Sequence, residues 1–216
     1  RHIYHLGYER GFEIIDDDEM LKVLTEVYKE ENIDRKLYSP RTMVKIIGDY
    51  KNGLRPLEDV EKDIYDSYQK YLKANNMLDF DDLLILTNEV LNIDEVCEFY
   101  QDKFHYILVD EFQDTNDIQY ELLTLILGEY CSLFVVGDPD QTIYTWRGAN
   151  VSLIMDFKKR FKPSRDIVLN QNYRSTKNIL NCANALIKNN KNRVEKDLIT
   201  GNVEGAKVIH YQANSI

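Results

Sequence analysis

Two continuous apolar runs, residues 106–110 (YILVD) and 132–138 (SLFVVGD), constrain this chain more than any other feature, and each ends in a carboxylate. Neither shows the polar alternation of a half-solvated strand, so both are predicted to be strands buried on both faces. Between them Asn116 supplies an N-cap ahead of Tyr120, Leu123 and Leu127 at helical spacing. Strand, helix, strand in this order predicts parallel pairing, with ligands at the carboxyl ends of the strands. A third unit is expected from residues 166–170 (DIVLN), a helix from Ser175 through Ile179, Ala183, Leu186 and Ile187, and a strand over residues 206–213 (AKVIHYQA).

Residues 16–92 follow a different period. Asp16, Asp17 and Asp18 offer N-cap acceptors before Leu21, Leu24 and Tyr28, and Ser39-Pro40 opens a second helix carrying Met43, Ile46, Ile47 and Tyr50, stopped by Gly53. A third follows Pro56 with Val60, Ile64, Tyr68 and Leu72; Asp79 caps a fourth with Leu83, Leu84, Leu86, Val90 and Leu91. These stripes read as core.

Composition narrows the class. Of 216 residues 44% are hydrophobic, enough for one large or two small buried cores. Nine glycines, four prolines and no apolar run near the roughly 20 residues of a membrane helix exclude collagen-like, low-complexity and membrane-spanning chains. Cys97, Cys131 and Cys182 are too far apart for a metal knuckle and suit a reducing, cytoplasmic compartment. His2 and His5 have no cysteine or acid ladder beside them and read as frayed surface residues rather than zinc ligands. The opening RHIYHLGYERGF has neither a signal core nor an initiating methionine, so the chain is expected to be an internal piece of a longer polypeptide.

Charge is bipolar. Residues 147–196 hold 12 Lys and Arg against 3 Asp and Glu, a net of plus 9, while the other 15 basic and 34 acidic residues leave minus 19. A basic third can hold phosphates although the whole chain carries minus 10. A solvated lysine-rich face is the alternative.

Asp110 and Glu111 close the first apolar run. One acid placed there can hold a metal-bound phosphate and the other can polarise water, the Walker B arrangement of nucleotide hydrolases, although strand-end acids also serve as helix caps. Gln141 reads either as a phosphate sensor or as an amide tying a turn. Trp146, the single tryptophan, lies in a polar, glycine-flanked loop beside Arg147, where base stacking and loop packing both remain open.

The strings ILVDEFQDTN, GDPDQTIYTWRGA and LNQNYRST occur in that order, each at a strand's carboxyl end. Together they resemble the second, third and fourth motifs of the superfamily 1 DNA helicases, and the chain is similar over nearly its whole length to the UvrD/PcrA/Rep group of 3′-to-5′ translocases. The intact Trp-Arg-Gly-Ala ending sets it apart from the related nuclease-fused helicases. The resemblance implies an α/β fold: part of a RecA-like P-loop motor, a parallel sheet with helices, plus an inserted all-α subdomain. It implies a mostly helical insertion over residues 1–76, the C-terminal part of a first motor domain over 77–164, with LDFDDLL marking the return to it, and the start of a second over 165–216.

The resemblance also implies roles. Asp110 would hold Mg²⁺ through water beside Glu111, and Glu111 would act as general base toward the γ-phosphate of ATP. Gln141 would sense that phosphate, Tyr173 would stack on adenine, and Arg174 would reach the γ-phosphate from the second motor domain. Trp146, with Tyr144 and Arg147, would hold single-stranded DNA. Gln113 and Asp114 complete the second motif, and Ser175 and Thr176 are expected to cap the following helix. Implied partners are single-stranded DNA, junctions with duplex, and the rest of a helicase polypeptide, with no membrane. No GxxxxGK[ST] occurs in the 216 residues, so the chain alone is expected to be inactive. The sheet edge at residues 132–137 is expected to be open to self-association. A non-catalytic nucleic-acid or protein interaction module that keeps the motor fold is the alternative.

Overall fold

The computed structural model describes residues 1–191 and 193–212. Asp16 accepts the Glu19 N–H at 2.9 Å and Glu19 returns a bond to the Asp16 N–H at 3.1 Å, a reciprocal capping box that starts α1 (Asp17–Glu30). Pro40 opens α2 (Pro40–Lys51), and α3 (Asp59–Ala74) follows. Gly53, at φ +71°, turns the chain after α2 in the left-handed region. Leu24, Tyr28, Met43, Ile47, Ile64, Tyr68 and Leu72 interlock into one core, none more than 2% exposed. Three residues of the expected stripes stand outside it: Leu21 in α1 is only half-buried, and Tyr50 in the last turn of α2 and Val60 in the first turn of α3 are exposed.

Two short strands had no sequence signal. Glu13–Ile15 (β1) and Met77–Asp79 (β2) pair in parallel with Glu13 opposite Met77 and Ile15 opposite Asp79. Three residues are too few to display a period of two. β2 runs into α4 (Phe80–Leu91) through a second capping box between Asp79 and Asp82. Lys51 grips this box from the end of α2: its Nζ lies 2.6 Å from Asp79 Oδ2 and 2.6 Å from Asp82 Oδ1, and the Tyr68 hydroxyl donates to Asp79 at 2.9 Å. The Lys51 side chain is wholly buried. Burial pushes the Asp82 carboxyl above its ordinary value against the pull of Lys51, and the Asp79 charge adds to the rise.

The strand–helix–strand unit forms as expected. After α5 (Asp94–Lys103), β3 (Tyr106–Val109) and β4 (Ser132–Val135) pair in parallel across α6 (Asp117–Ile126), with Tyr106 opposite Ser132 and Val109 opposite Val135. Burial on both faces does not hold. Ile107, Val109, Leu133 and Val135 pack on Phe112, Leu123 and Leu153, whereas Tyr106, Leu108, Phe134 and Val136 are exposed. Only one layer covers this pair among the described residues, from α6, α7 (Ser152–Met155) and α8 (Phe157–Arg160).

Past residue 165 the strand predictions fail. Residues 166–170 form no ladder; their neighbourhood is tied by a single parallel bridge between Gln171 and Ile199. Residues 206–212 are not strand either, and Ala213 lies outside the described residues. The predicted helix exists as α9 (Lys177–Ile187), but it buries Leu180 and turns Asn184 toward Leu198, bonding it at 2.9 Å. Ile179, Ala183 and Leu186 therefore face outward. His2 is not frayed: its ring packs against Phe99 and Tyr100 at 5.8 Å and its two nitrogens are buried without partners. No described helix is long and apolar enough to cross a membrane.

Candidate active site

Glu111, two residues past the end of β3, takes the left-handed conformation, φ +50° and ψ +40°. A non-glycine residue there is uncommon and costs backbone strain. The turn it makes buries Phe112 completely and leaves Asp110 and Glu111 exposed at the strand's carboxyl end. The Glu111 N–H donates to Asp110 Oδ1 at 2.9 Å, so the two acids are held side by side. They border a cleft of about 460 Å³ whose polar wall continues through Asp114, Thr115 and Gln119.

Gln113, 1% exposed, links this acid pair to the end of β4. Its amide nitrogen donates to Glu111 Oε2 at 2.8 Å and Asp114 Oδ2 at 3.2 Å, and its amide oxygen accepts the Asp138 N–H at 2.9 Å. A Cβ at Gly137 would stand 2.7 Å from Gln113 Oε1 and 2.8 Å from Ile154 Cδ1, so a larger residue there would have to displace the Gln113 amide that holds Asp138. Asp138 then caps the short turn Pro139–Gln141, accepting the Asp140 N–H at 3.0 Å and the Gln141 amide at 2.9 Å.

The two motifs also meet downstream. Asn116 caps α6 in a box with Gln119 and bridges antiparallel to Ala149, while the Asn150 N–H donates to the Thr115 carbonyl at 2.9 Å. Gly148, at φ +85°, permits this return. Just before it the turn Thr145–Arg147 presents Trp146, 63% exposed, with the Arg147 guanidinium 4.6 Å from its ring centroid and 5.9 Å from that of Tyr144. This tryptophan is not buried in the core and presents an open aromatic and cationic face.

Tyr173 and Arg174 are exposed and stand apart from the acids: among the described residues no hydrogen bond or ion pair joins them to Asp110, Glu111 or Gln141. Asn172, rather than Ser175 or Thr176, organises this loop, its Oδ1 accepting the N–H groups of Arg174 at 3.0 Å and Ser175 at 2.7 Å. Thr176 occupies the N-cap position of α9 without a side-chain cap bond, its hydroxyl buried and unpartnered.

A family model for the UvrD/REP helicase N-terminal domain matches residues 1–162, and one for the UvrD-like helicase C-terminal domain matches residues 167–216. The chain belongs to the UvrD/REP helicase family. It is 45% identical over 220 residues to the ATP-dependent DNA helicase PcrA of Staphylococcus aureus and 44% identical to that of Staphylococcus epidermidis, in each case over 96% of this chain. The chain spans about 30% of the length of these relatives.

Within this UvrD/REP family chain the mixed fold, small parallel sheets beside a helical insertion, is that of a RecA-like helicase part. What the motif strings did not announce is how the segment after α9 reaches the site. Lys196 ion-pairs with Asp138 from 58 residues away in the chain, and Arg193 faces Asp140 at 3.5 Å. Burial works to raise the Asp138 carboxyl, but hydrogen bonds from Lys196 and Gln141 outweigh it and hold the group below the usual carboxylate range. A strand-terminal acid drew attention to Asp138's neighbourhood. Nothing local distinguishes Lys196 among the basic residues around it.

Proposed function

We propose that this chain is the central part of an ATP-dependent 3′-to-5′ DNA helicase, in which ATP hydrolysis drives translocation on single-stranded DNA and unwinding at junctions with duplex. The observation that carries the reading is the pair of exposed acids at the end of β3, on a cleft of about 460 Å³ and tied by Gln113 to the Gln141 turn. The substrate would be ATP with Mg²⁺. Among the described residues no group of three His, Cys, Asp or Glu could cage a metal by itself. Mg²⁺ binds through one or two carboxylates together with water and substrate phosphates, which is the donor set Asp110 and Glu111 offer, and it would neutralise phosphate charge.

In this reading Asp110 holds the metal through water, and Glu111 accepts a proton from the attacking water. Gln141 meets the γ-phosphate, Tyr173 stacks on adenine and Arg174 supplies positive charge to the transition state. Domain closure must bring Tyr173 and Arg174 to the acids. Trp146, Tyr144 and Arg147 take unpaired bases, for which an exposed aromatic under a guanidinium is suited. The divisions 1–76, 77–164 and 165–216, a cytoplasmic location, inactivity of the 216-residue chain alone and its self-association through the open strand pair belong to the same proposal.

Glu111→Gln in the full helicase polypeptide tests it. The substitution keeps size and hydrogen bonding but removes the proton acceptor. ATP with Mg²⁺ should still bind, while DNA-stimulated turnover falls by at least about 10²-fold. Wild-type turnover in that variant would overturn the assignment.

A further inference from the structure

Asp138 is where three segments meet. Gln113 holds its N–H, its Oδ2 accepts the Gln141 amide at 2.9 Å, and its Oδ1 accepts both the Asp140 N–H at 3.0 Å and the Lys196 ammonium. Beside it the side chains of Arg193 and Asp140 are 9% and 7% exposed and only 3.5 Å apart, and among the described residues the buried Arg193 Nε and Asp140 Oδ1 have no partner. Enclosing such charges costs more than so loose a pair returns, so fold stability alone does not account for the cluster.

We propose that Lys196, assisted by Arg193, is a positioning residue for Gln141, acting through the Asp138 carboxylate. This rests on the reading of Gln141 as the γ-phosphate contact. With Oδ1 engaged by both the Asp140 N–H and Lys196, Oδ2 is left for the Gln141 amide, so a residue of the segment after α9 reinforces the rotation of Asp138 and thereby the place of the amide. If Lys196 withdraws, only the Asp140 N–H still fixes Oδ1, and the carboxylate holds the Gln141 amide less firmly. Gln113 extends the relay, since one of its amide atoms holds Asp138 and the other holds Glu111. The placement of residues 193–196 is thus felt at both groups that would face the terminal phosphate. Neither Lys196 nor Arg193 needs to touch the nucleotide.

Two measurements decide it. Carbodiimide treatment of the 216-residue chain should yield an Asp138–Lys196 zero-length cross-link by peptide mass spectrometry; its absence while other Lys–Asp pairs couple overturns the contact. In the full helicase polypeptide, DNA-stimulated ATP turnover is followed across ATP concentrations. Because small misplacements of a reacting group cost large factors in rate, Lys196→Ala should lower kcat about tenfold and leave KM for ATP within about twofold. Lys196→Arg, which keeps the charge, should restore most of the loss. Asp138→Asn should cost about as much as Lys196→Ala, and the double variant little more than either alone. Unchanged kcat in Lys196→Ala, a raised KM at constant kcat, no rescue by Arg, or multiplying losses in the double variant would each overturn the proposal. Failure of the underlying functional reading looks different: Glu111→Gln or Gln141→Ala would retain turnover while the cross-link still formed.

Discussion

In the α1–α3 unit Leu24, Ile47, Ile64, Tyr68 and Leu72 are wholly buried, and Lys51 is enclosed together with its counter-ions Asp79 and Asp82. In the β3–β4 unit Tyr106, Leu108 and Phe134 stand 75%, 72% and 55% exposed. Three amphipathic helices turn their single apolar stripes toward one another and, with Ile15 of β1, close one core. A sheet has two faces, and the described residues cover one. The helical unit therefore covers its apolar faces, whereas the strand unit, which carries the acids, offers apolar surface to a further layer.

The sharpest way to break this contrast is Lys51→Met, which leaves two carboxylates enclosed without their cation. It should destabilise the chain by about 3–5 kcal/mol in urea denaturation, and a loss below about 1 kcal/mol would show that the network contributes little. The pH response has a defined sign. Because Asp81 and Asp82 are raised by burial, they bind more protons folded than unfolded, and stability falls as pH rises through the window just above 3.8. Asp138 is lowered, so its contribution is complete above 3.8 and is lost as pH falls through its depressed value. Asp82→Asn should flatten the first slope and leave the second; an unaltered first slope would rule out Asp82 as its source.

Next in size is Trp146→Ala. If Trp146 is the base platform proposed above, its removal should weaken single-stranded DNA binding by about 1–3 kcal/mol, measured by anisotropy of a labelled oligothymidine. The urea midpoint should hardly move, and a large shift would make Trp146 a packing residue. Asn116→Ala removes the α6 capping box and should cost about 1 kcal/mol, with hydrogen-exchange protection lost first at Gln119. Protection retained there would show that the antiparallel bridge to Ala149, and not the side chain, holds the turn. Smallest for stability is the pair Leu108→Thr and Phe134→Thr on the open face. Each should stay within about 0.5 kcal/mol of wild type, yet reduce concentration-dependent association in sedimentation velocity. Unchanged association would place the self-contact elsewhere.

Helix starts were legible because their signals are local. Asp16, Asp79 and Asn116 each accept an N–H three residues on, and each does so in a reciprocal box. The order of the acid, Gln-turn and Tyr-Arg strings was equally legible, since each lies within about a dozen consecutive residues. The phase of α9 was not: Leu180 and Asn184 face inward because the Leu198 backbone approaches that side, and nothing inside the helix reports this. Likewise residues 166–170 have strand composition but lack the ladder that would make them one.

Residue types and their spacing were enough to determine the helical unit's core, the parallel β3–β4 pairing and the three motif strings, because capping, periodicity and turn chemistry act over a few residues. Only the tertiary structure decided which sheet face is covered, that Lys51 is enclosed between Asp79 and Asp82, that Gln113 joins Glu111 to Asp138, and that Lys196 completes the Asp138 site. Each of those outcomes is a contact between segments whose separation along the chain carries no energy, so only the packing of distant elements against one another could settle it.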